Sequence, residues 1–256
     1  MPHKRLLRPI SLAGAIIIWE SIAVLINNPI FLPRFTEVIQ TFYSVVVSGD
    51  LLRDLFESLM HFGVGLGLGI IIAIPIGIAM GWSRTADNMI DPLVELVRPI
   101  PPIAWIPFAI IWLHLTHYAA GFIVFIGAVF PILINTYAGF KDTPRILIES
   151  ARVLGCRTNR DLVKKVALPY ALPSIATGVR IAMGVGWMCV VAAELFGVSN
   201  HGLGYKIWWY KDIHQMDGVL TYMLILGLVS LTIDRIFRQI IDEKLLKWKT
   251  GLVRSK

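Results

Sequence analysis

Residues 141–169 read KDTPRILIESARVLGCRTNRDLVKKVALP, a polar island between two long apolar runs. Lys141, Arg145, Arg152, Arg157, Arg160, Lys164 and Lys165 supply seven cations, and Asp142, Glu149 and Asp161 supply three anions. The island carries helix punctuation instead of the Gly/Ser composition of a soluble linker. Asp142 and Thr143 suit an N-cap, Pro144 suits the first helical position, and Gly155 suits the residue just past the end. That pattern predicts a helix of about eleven residues, ~16 Å long. Asn159 can cap a second helix that runs on through Leu168. On the first helix Leu147, Ala151 and Leu154 share a stripe at i, i+4, i+7 spacing, and Arg145, Glu149 and Arg152 line another. Two readings of this helix are open: it packs on its own chain, or it is offered to a partner. Glu149 correspondingly pairs with Arg145 or Arg152, or anchors a contact.

The flanking sequence places the island at a membrane. Of the 256 residues 56% are apolar and only 16% charged, with a mean hydropathy of +0.69. A soluble domain of this size carries more charge. Several runs approach the ~20 apolar residues that cross a bilayer. The expectation is therefore an all-α integral membrane protein, a single domain over 1–256, with about six transmembrane helices. These fall near Ile10–Ile26, His61–Trp82, Ile103–Leu115, Tyr118–Phe140, Leu172–Val198 and Val219–Phe237. Before the third comes Arg98-Pro99-Ile100-Pro101-Pro102, and Pro107 interrupts it, so irregular backbone there must face protein or a cavity. The start, MPHKRLLRPISLAGAIIIW, has the charge of a signal peptide without a clear small-x-small cleavage site, and is read as a retained first span.

Lys and Arg counts orient the chain. With the N-terminus inside, the inner segments hold nineteen: Lys4, Arg5 and Arg8, then Arg84 and Arg98, the island's seven, and Arg235, Arg238, Lys244, Lys247, Lys249, Arg254 and Lys256. The outer segments hold four, Arg34, Arg53, Lys206 and Lys211. Both termini and the island are thus expected in the cytoplasm of a multi-pass protein. The net charge of +7 sits in loops beside apolar runs, which argues against nucleic acid as the partner. Segment 27–60 is the largest external piece, with Phe35–Val47 and Asp50–Met60 reading as amphipathic helices and Asp50 as a cap. In the second span Gly65-x3-Gly69 and Gly77-x3-Gly81 allow close helix approach.

Chemistry is limited. There is no G-x4-G-K-[ST] loop and no G-x-G-x-x-G fingerprint, so ATP is not bound by those routes. His114 and His117 lie in a short loop with no neighbouring carboxylate in sequence, and His201 and His214 are isolated, so no metal site is expected. Cys156 and Cys189 are too differently placed to bridge. No acid–base–nucleophile cluster suggests an enzyme. Charges inside spans mark a cavity or a partner. Glu20 and Arg180 both lie ~15 Å from the inner side, close enough in depth to pair. Arg180, Met183, Trp187 and Glu194 make the fifth span the candidate pathway, though Trp187 can equally pack in the core and Glu194 can equally contact the external loop. Asp234 reads as a helix-end ion pair.

Several stretches resemble one family. Glu149-Ser150-Ala151, three residues, Gly155, then Val166-Ala167-Leu168-Pro169 looks like the E-A-A-x3-G…I-x-L-P signature of binding-protein-dependent ABC importer permeases. Ser150 replaces the usual Ala, and ten residues separate Gly155 from Val166 where nine are common. Residues 90–101, IDPLVELVRPIP, residues 130–139, FPILINTYAG, and Ala193-Glu194 with Gly202-Leu203-Gly204-Tyr205 resemble the nitrate/sulfonate/bicarbonate/taurine branch. The resemblance implies a type I importer permease fold, with 141–169 as the cytoplasmic coupling loop. In it, Leu147, Ala151 and Leu154 would supply the buried contact with the ATPase, Glu149 a polar anchor and Gly155 the turn. It further implies a second permease copy, two ATPase subunits that hold ATP and Mg, and an external solute-binding protein, in the plasma membrane of a prokaryote. The solute would be a small oxyanion or organosulfonate. The alternative of another class is an ion-gradient-driven carrier or channel, which would favour paired midplane charges and an internal repeat.

Overall fold

The computed structural model describes residues 3–241. All regular elements among them are helices: α1 (His3–Ile26), α2 (Phe35–Ser48), α3 (Asp50–Trp82), α4 (Arg84–Val97), α5 (Ile106–Leu113), α6 (His117–Lys141), α7 (Arg145–Val153), α8 (Asn159–Leu162), α9 (Leu168–Leu195), α10 (Leu203–Asp212) and α11 (Met216–Ile240). A 3-10 turn, Pro102–Trp105, precedes α5, and a π turn, Val163–Ala167, joins α8 to α9. The tail cations Lys244, Lys247, Lys249, Arg254 and Lys256 lie outside the described residues.

Gly49, at φ +81°, ends α2 and turns the chain directly into α3. Asp50 is therefore the first residue of α3 and not its cap. The amphipathic segment and the second span form one 33-residue helix, about 50 Å long. Its small residues recur every fourth position: Gly65, Gly69, Ala73, Gly77 and Gly81. They meet a matching row on α6, with Gly65 on Val124, Gly69 on Ala128 and Ile132, Gly77 on Thr136 and Gly81 on Phe140. This is row-against-row packing at i±4 spacing. A Cβ on Gly65 would stand 2.4 Å from the Gly121 carbonyl oxygen, so only glycine permits this approach. An adjacent face of α6 does the same with α9, where Gly127 touches Cys189, Gly178 touches Asn135 and Gly139 touches Ser174. α6 is the central helix, parallel to α3 and antiparallel to α9.

Helices cover all six expected spans, though they differ in length and straightness. Among the described residues four helices are long and apolar enough to cross a membrane: α3, α6, the continuous Asn159–Leu195 and α11. The third expected span is broken. α4 and Pro102–Leu113 meet at 86° across Pro99, Pro101 and Pro102, and this bent pair is the fifth candidate. Pro107 does not interrupt α5; it sits in its first turn, where a missing N–H costs nothing. As irregular backbone requires, Arg98, Ile100 and Pro102 line a cavity of about 320 Å³ against α6 and α9. The apolar part of α1, Ile10–Ile26, is a shorter helix whose residues are mostly exposed.

The bundle therefore has two ends. α7 and α8 lie at one, with the ends of α3, α6 and α11. α2 and α10 lie at the other, with the starts of the same three helices. Gly77→Ala would set a Cβ 2.7 Å from Thr136 Cβ and 2.9 Å from the Leu133 carbonyl oxygen, whereas Gly67 has open space around it. In detergent, thermal melting of Gly77→Ala is expected to fall by the equivalent of about 1–3 kcal/mol, with Gly67→Ala close to the parent. Equal melting of the two variants would show that the α3–α6 approach is slack.

Candidate functional site

The island folds as a lever between α6 and α9. Pro144 takes the N-cap of α7 in extended backbone (φ −62°, ψ 132°), displacing the expected caps Asp142 and Thr143. The helix is nine residues, shorter than the sequence spacing suggests. Its end is a Schellman turn. Cys156 N–H donates to the Ala151 carbonyl at 2.9 Å, Gly155 N–H donates to that of Arg152 at 3.1 Å, and Gly155 holds φ +98°. Of the expected apolar stripe only Ala151 packs on the chain, at 9% exposed. Leu147 and Leu154 remain in the open, Leu154 at 85%, and Ile146 and Val153 join them. Glu149 is exposed and makes no ion pair with Arg145 or Arg152 among the described residues. Thr158, not Asn159, caps α8, accepting from Asp161 N–H at 3.1 Å. The π turn Val163–Ala167 then holds one residue more than an α turn would. The extra residue between Gly155 and Val166 is thus taken up inside a helix that continues into α9. Beside α7 lies an open groove of about 660 Å³, walled by Arg84, Lys141, Arg145 and Arg152 with Asp87 and Asn88.

Three of the four pathway candidates meet. Arg180, Met183 and Trp187 of α9 line a cavity of about 190 Å³ with Phe62 of α3 and Ser230, Ile233 and Asp234 of α11. The Trp187 indole is buried, donates to the Leu226 carbonyl at 3.3 Å and meets Phe62 edge-on at 5.6 Å. The core reading of Trp187 holds, and the packed ring also forms one wall of this cavity. Arg180 does not pair with Glu20 as depth suggested. Its Nε and Nη2 donate to Asp234 at 2.8 and 3.2 Å, and Arg238 joins the same carboxylate at 3.2 Å. Glu20 instead accepts from the hydroxyl and N–H of Thr36 at 3.0 and 3.3 Å, tying α1 to the start of α2.

Glu194 belongs elsewhere. It is fully buried near the far end of α9, 0% exposed. The Ser58 hydroxyl proton is shared between the two Glu194 oxygens at 2.8 and 2.9 Å, His61 Nδ1 lies 2.9 Å from one, and Gly204 N–H donates to the other at 2.8 Å. Ser58 in turn accepts from Leu203 N–H at 2.9 Å. The glycines of G-L-G-Y fit this centre. A Cβ on Gly202, which holds φ +127°, would lie 2.4 Å from the Glu194 carboxyl, and one on Gly204 would lie 2.9 Å from Glu194 Cβ. Alongside, Asp54 accepts from Tyr222 at 3.0 Å and faces Lys206 at 3.9 Å. Of its two sequence readings, Glu194 takes the contact with the loop that starts α10.

Asp54, Ser58 and His61 escaped sequence reasoning, though their i, i+4, i+7 spacing was the available signal. Glu57 escaped as well. His117 was read as lacking a carboxylate neighbour; the fold brings Glu57 Oε2 to 3.3 Å from its Nδ1 and His61 Nε2 to 2.9 Å.

Residues 65–246 match the family described as binding-protein-dependent transport system inner membrane component. The chain is 45% identical over 251 residues to a protein of Methanocaldococcus jannaschii assigned as an ABC transporter permease, covering 96% of this chain and 93% of that one. It is 33% identical to a Bacillus subtilis protein assigned as an aliphatic sulfonates transport permease, covering 97% and 88%. It is 35% identical to the bicarbonate transport system permease protein of Synechococcus elongatus, covering 87% and 83%. Among solved structures it resembles the inward-facing MetNI methionine ABC transporter, with a TM-score of 0.63 and 25% identity over 76% of this chain and 97% of that chain.

Replacing Glu194 by Ala strands the Ser58 hydroxyl and the Gly204 N–H, at about 1–3 kcal/mol for each buried group left unpaired. Thermal melting of Glu194→Ala in detergent is expected well below that of Met183→Ala, which only enlarges a cavity. Melting at the parent temperature would return Glu194 to the pathway.

Proposed function

Since the chain belongs to the binding-protein-dependent transport system inner membrane components, we propose that it works as the permease subunit of an ATP-driven importer, moving a small solute inward by alternating access. The observation that carries the coupling half of this reading is α7. Ile146, Leu147, Val153 and Leu154 are exposed on a short helix at one end of the bundle, and nothing among the described residues buries them. Exposed apolar residues on a capped, rigid helix suit a groove on another protein. That protein is an ATPase subunit, two per complex, holding ATP and Mg that this chain has no phosphate loop to bind. A second permease copy completes the path, and an external solute-binding protein delivers the solute.

The distribution of cations, nineteen against four, supports a plasma-membrane orientation with both termini and α7 in the prokaryotic cytoplasm. The solute class follows the relatives: a small oxyanion or organosulfonate of the bicarbonate, nitrate, taurine or alkanesulfonate kind. Arginine suits it, since a guanidinium binds oxyanions in fork geometry, and Arg98 and Arg180 each line a cavity between helices.

ATPase closure moves α7, and α7 moves α6 and α9 with it because short links join it to α6 and to the continuous helix Asn159–Leu195. The shift requires that the ATPase hold α7 differently in its two states; equal contact would shift nothing. With the permease and its ATPase in proteoliposomes, Glu149→Arg is expected to abolish solute uptake while ATP hydrolysis and membrane insertion persist. Uptake at the parent rate would remove Glu149 from the coupling contact. Failure of any ATPase to co-purify with the parent would instead reject the ATP-driven reading.

A further inference from the structure

At the end of the bundle away from α7, three side chains bring one possible ligand atom each to within 4.8 Å of one another. Glu57 and His61 lie four residues apart on one face of α3, and His117 opens α6. His117 Nδ1 is 2.9 Å from His61 Nε2 and 3.3 Å from Glu57 Oε2, and all three atoms lie within 4.8 Å of one another. Proton bookkeeping shows what the cluster lacks. His61 Nδ1 faces the Glu194 carboxylate at 2.9 Å and so carries the ring proton there. That leaves Nε2 as an acceptor. Glu57 Oε2 is an acceptor too, and it is buried without a hydrogen bond. His117 Nδ1 has at most one proton to share between them. Acceptors outnumber donors around a point between two helices, which is the condition for a cation and not for a closed hydrogen-bond network.

We propose that Glu57, His61 and His117 form a binding site for a divalent transition-metal ion of the zinc type. Two imidazole nitrogens and one carboxylate oxygen are a donor set that zinc takes with a water in the fourth position. With bonds of about 2.0–2.1 Å a tetrahedral ion sets its ligand atoms roughly 3.3–3.4 Å apart, and the two close separations here are 2.9 and 3.3 Å. The outer partner is already in place. A metal-bound histidine characteristically donates its other ring N–H to a carboxylate, and Glu194 accepts from His61 in that manner. Glu57 and Glu194 together offset the charge of a dication. His117, half exposed at 52%, leaves the fourth position open from outside the bundle. The ion would pin the start of α6 to α3 and, through Glu194, α3 to α9 and α10.

The test uses the full-length permease, tag removed, stripped with chelator and equilibrated with Zn²⁺ alone. Elemental analysis is expected to find one zinc per chain, with Co²⁺ giving the intense visible absorption of a tetrahedral site. His117→Ala and Glu57→Gln should each weaken zinc binding at least tenfold and abolish the cobalt spectrum. His114→Ala, three residues away and outside the cluster, should change neither. His117 is exposed, so its variant keeps the fold, and melting in the absence of metal checks this. Fewer than one zinc per five chains, or equal retention by His117→Ala, would mean an adventitious ion only and overturn the proposal.

Discussion

Everything in this bundle hangs on how closely α3 can approach α6. Between lipid-facing helices there is no hydrophobic drive to associate, because lipid tails are as apolar as the side chains. Adhesion must come from short-range contact, and that needs small residues in register. Gly65, Gly69, Ala73, Gly77 and Gly81 supply it on one helix, and Val124, Ala128, Ile132, Thr136 and Phe140 answer on the other. The same device on an adjacent face of α6 seats α9. Three helices so fused move as a slab. α7 is tied to this slab by short links, residues 142–144 to α6 and residues 154–158 to the continuous helix Asn159–Leu195.

The seams around that slab are of a different character. α11 joins α9 through the Arg180–Asp234 pair and the bond from Trp187 to the Leu226 carbonyl, with a cavity between them. Polar pairs that are half exposed can be exchanged for water or another partner at small cost, while packed glycine rows cannot slide without clashing. Relative motion is therefore cheapest along the α9–α11 seam. At the far end the Glu194 centre closes α3, α9 and α10 upon one another, so displacement of α7 is expected to swing the slab about that end.

Much of this was legible. The apolar runs gave the helices α3, α6, α9 and α11; the glycine spacing gave their packing; the caps around Pro144 and Gly155 gave α7. The broken third span announced itself in Pro99, Pro101 and Pro102. What could not be read was pairing in three dimensions. Depth along two helices said Glu20 and Arg180 could meet, yet depth says nothing about azimuth, and Asp234 faces Arg180 from the neighbouring helix. His117 was judged on sequence neighbours alone, though its carboxylate partner stands sixty residues earlier. The cap of α8 fell one residue early because Thr158 and Asn159 are equally good cap residues and only the backbone decides.

The two ionisable centres of α9 show how a buried charge should be classified. Both Arg180 and Glu194 sit in a long apolar helix, and sequence alone treats them alike. Both Glu194 oxygens are engaged, by Ser58, His61 and a backbone N–H, with no solvent contact, and opening such a centre would strand several polar groups at once. Arg180 is half exposed, pairs with Asp234 and stands at the wall of a cavity. In a membrane bundle, then, burial and hydrogen-bond saturation tell a fastener from a charge that faces a cavity better than depth does.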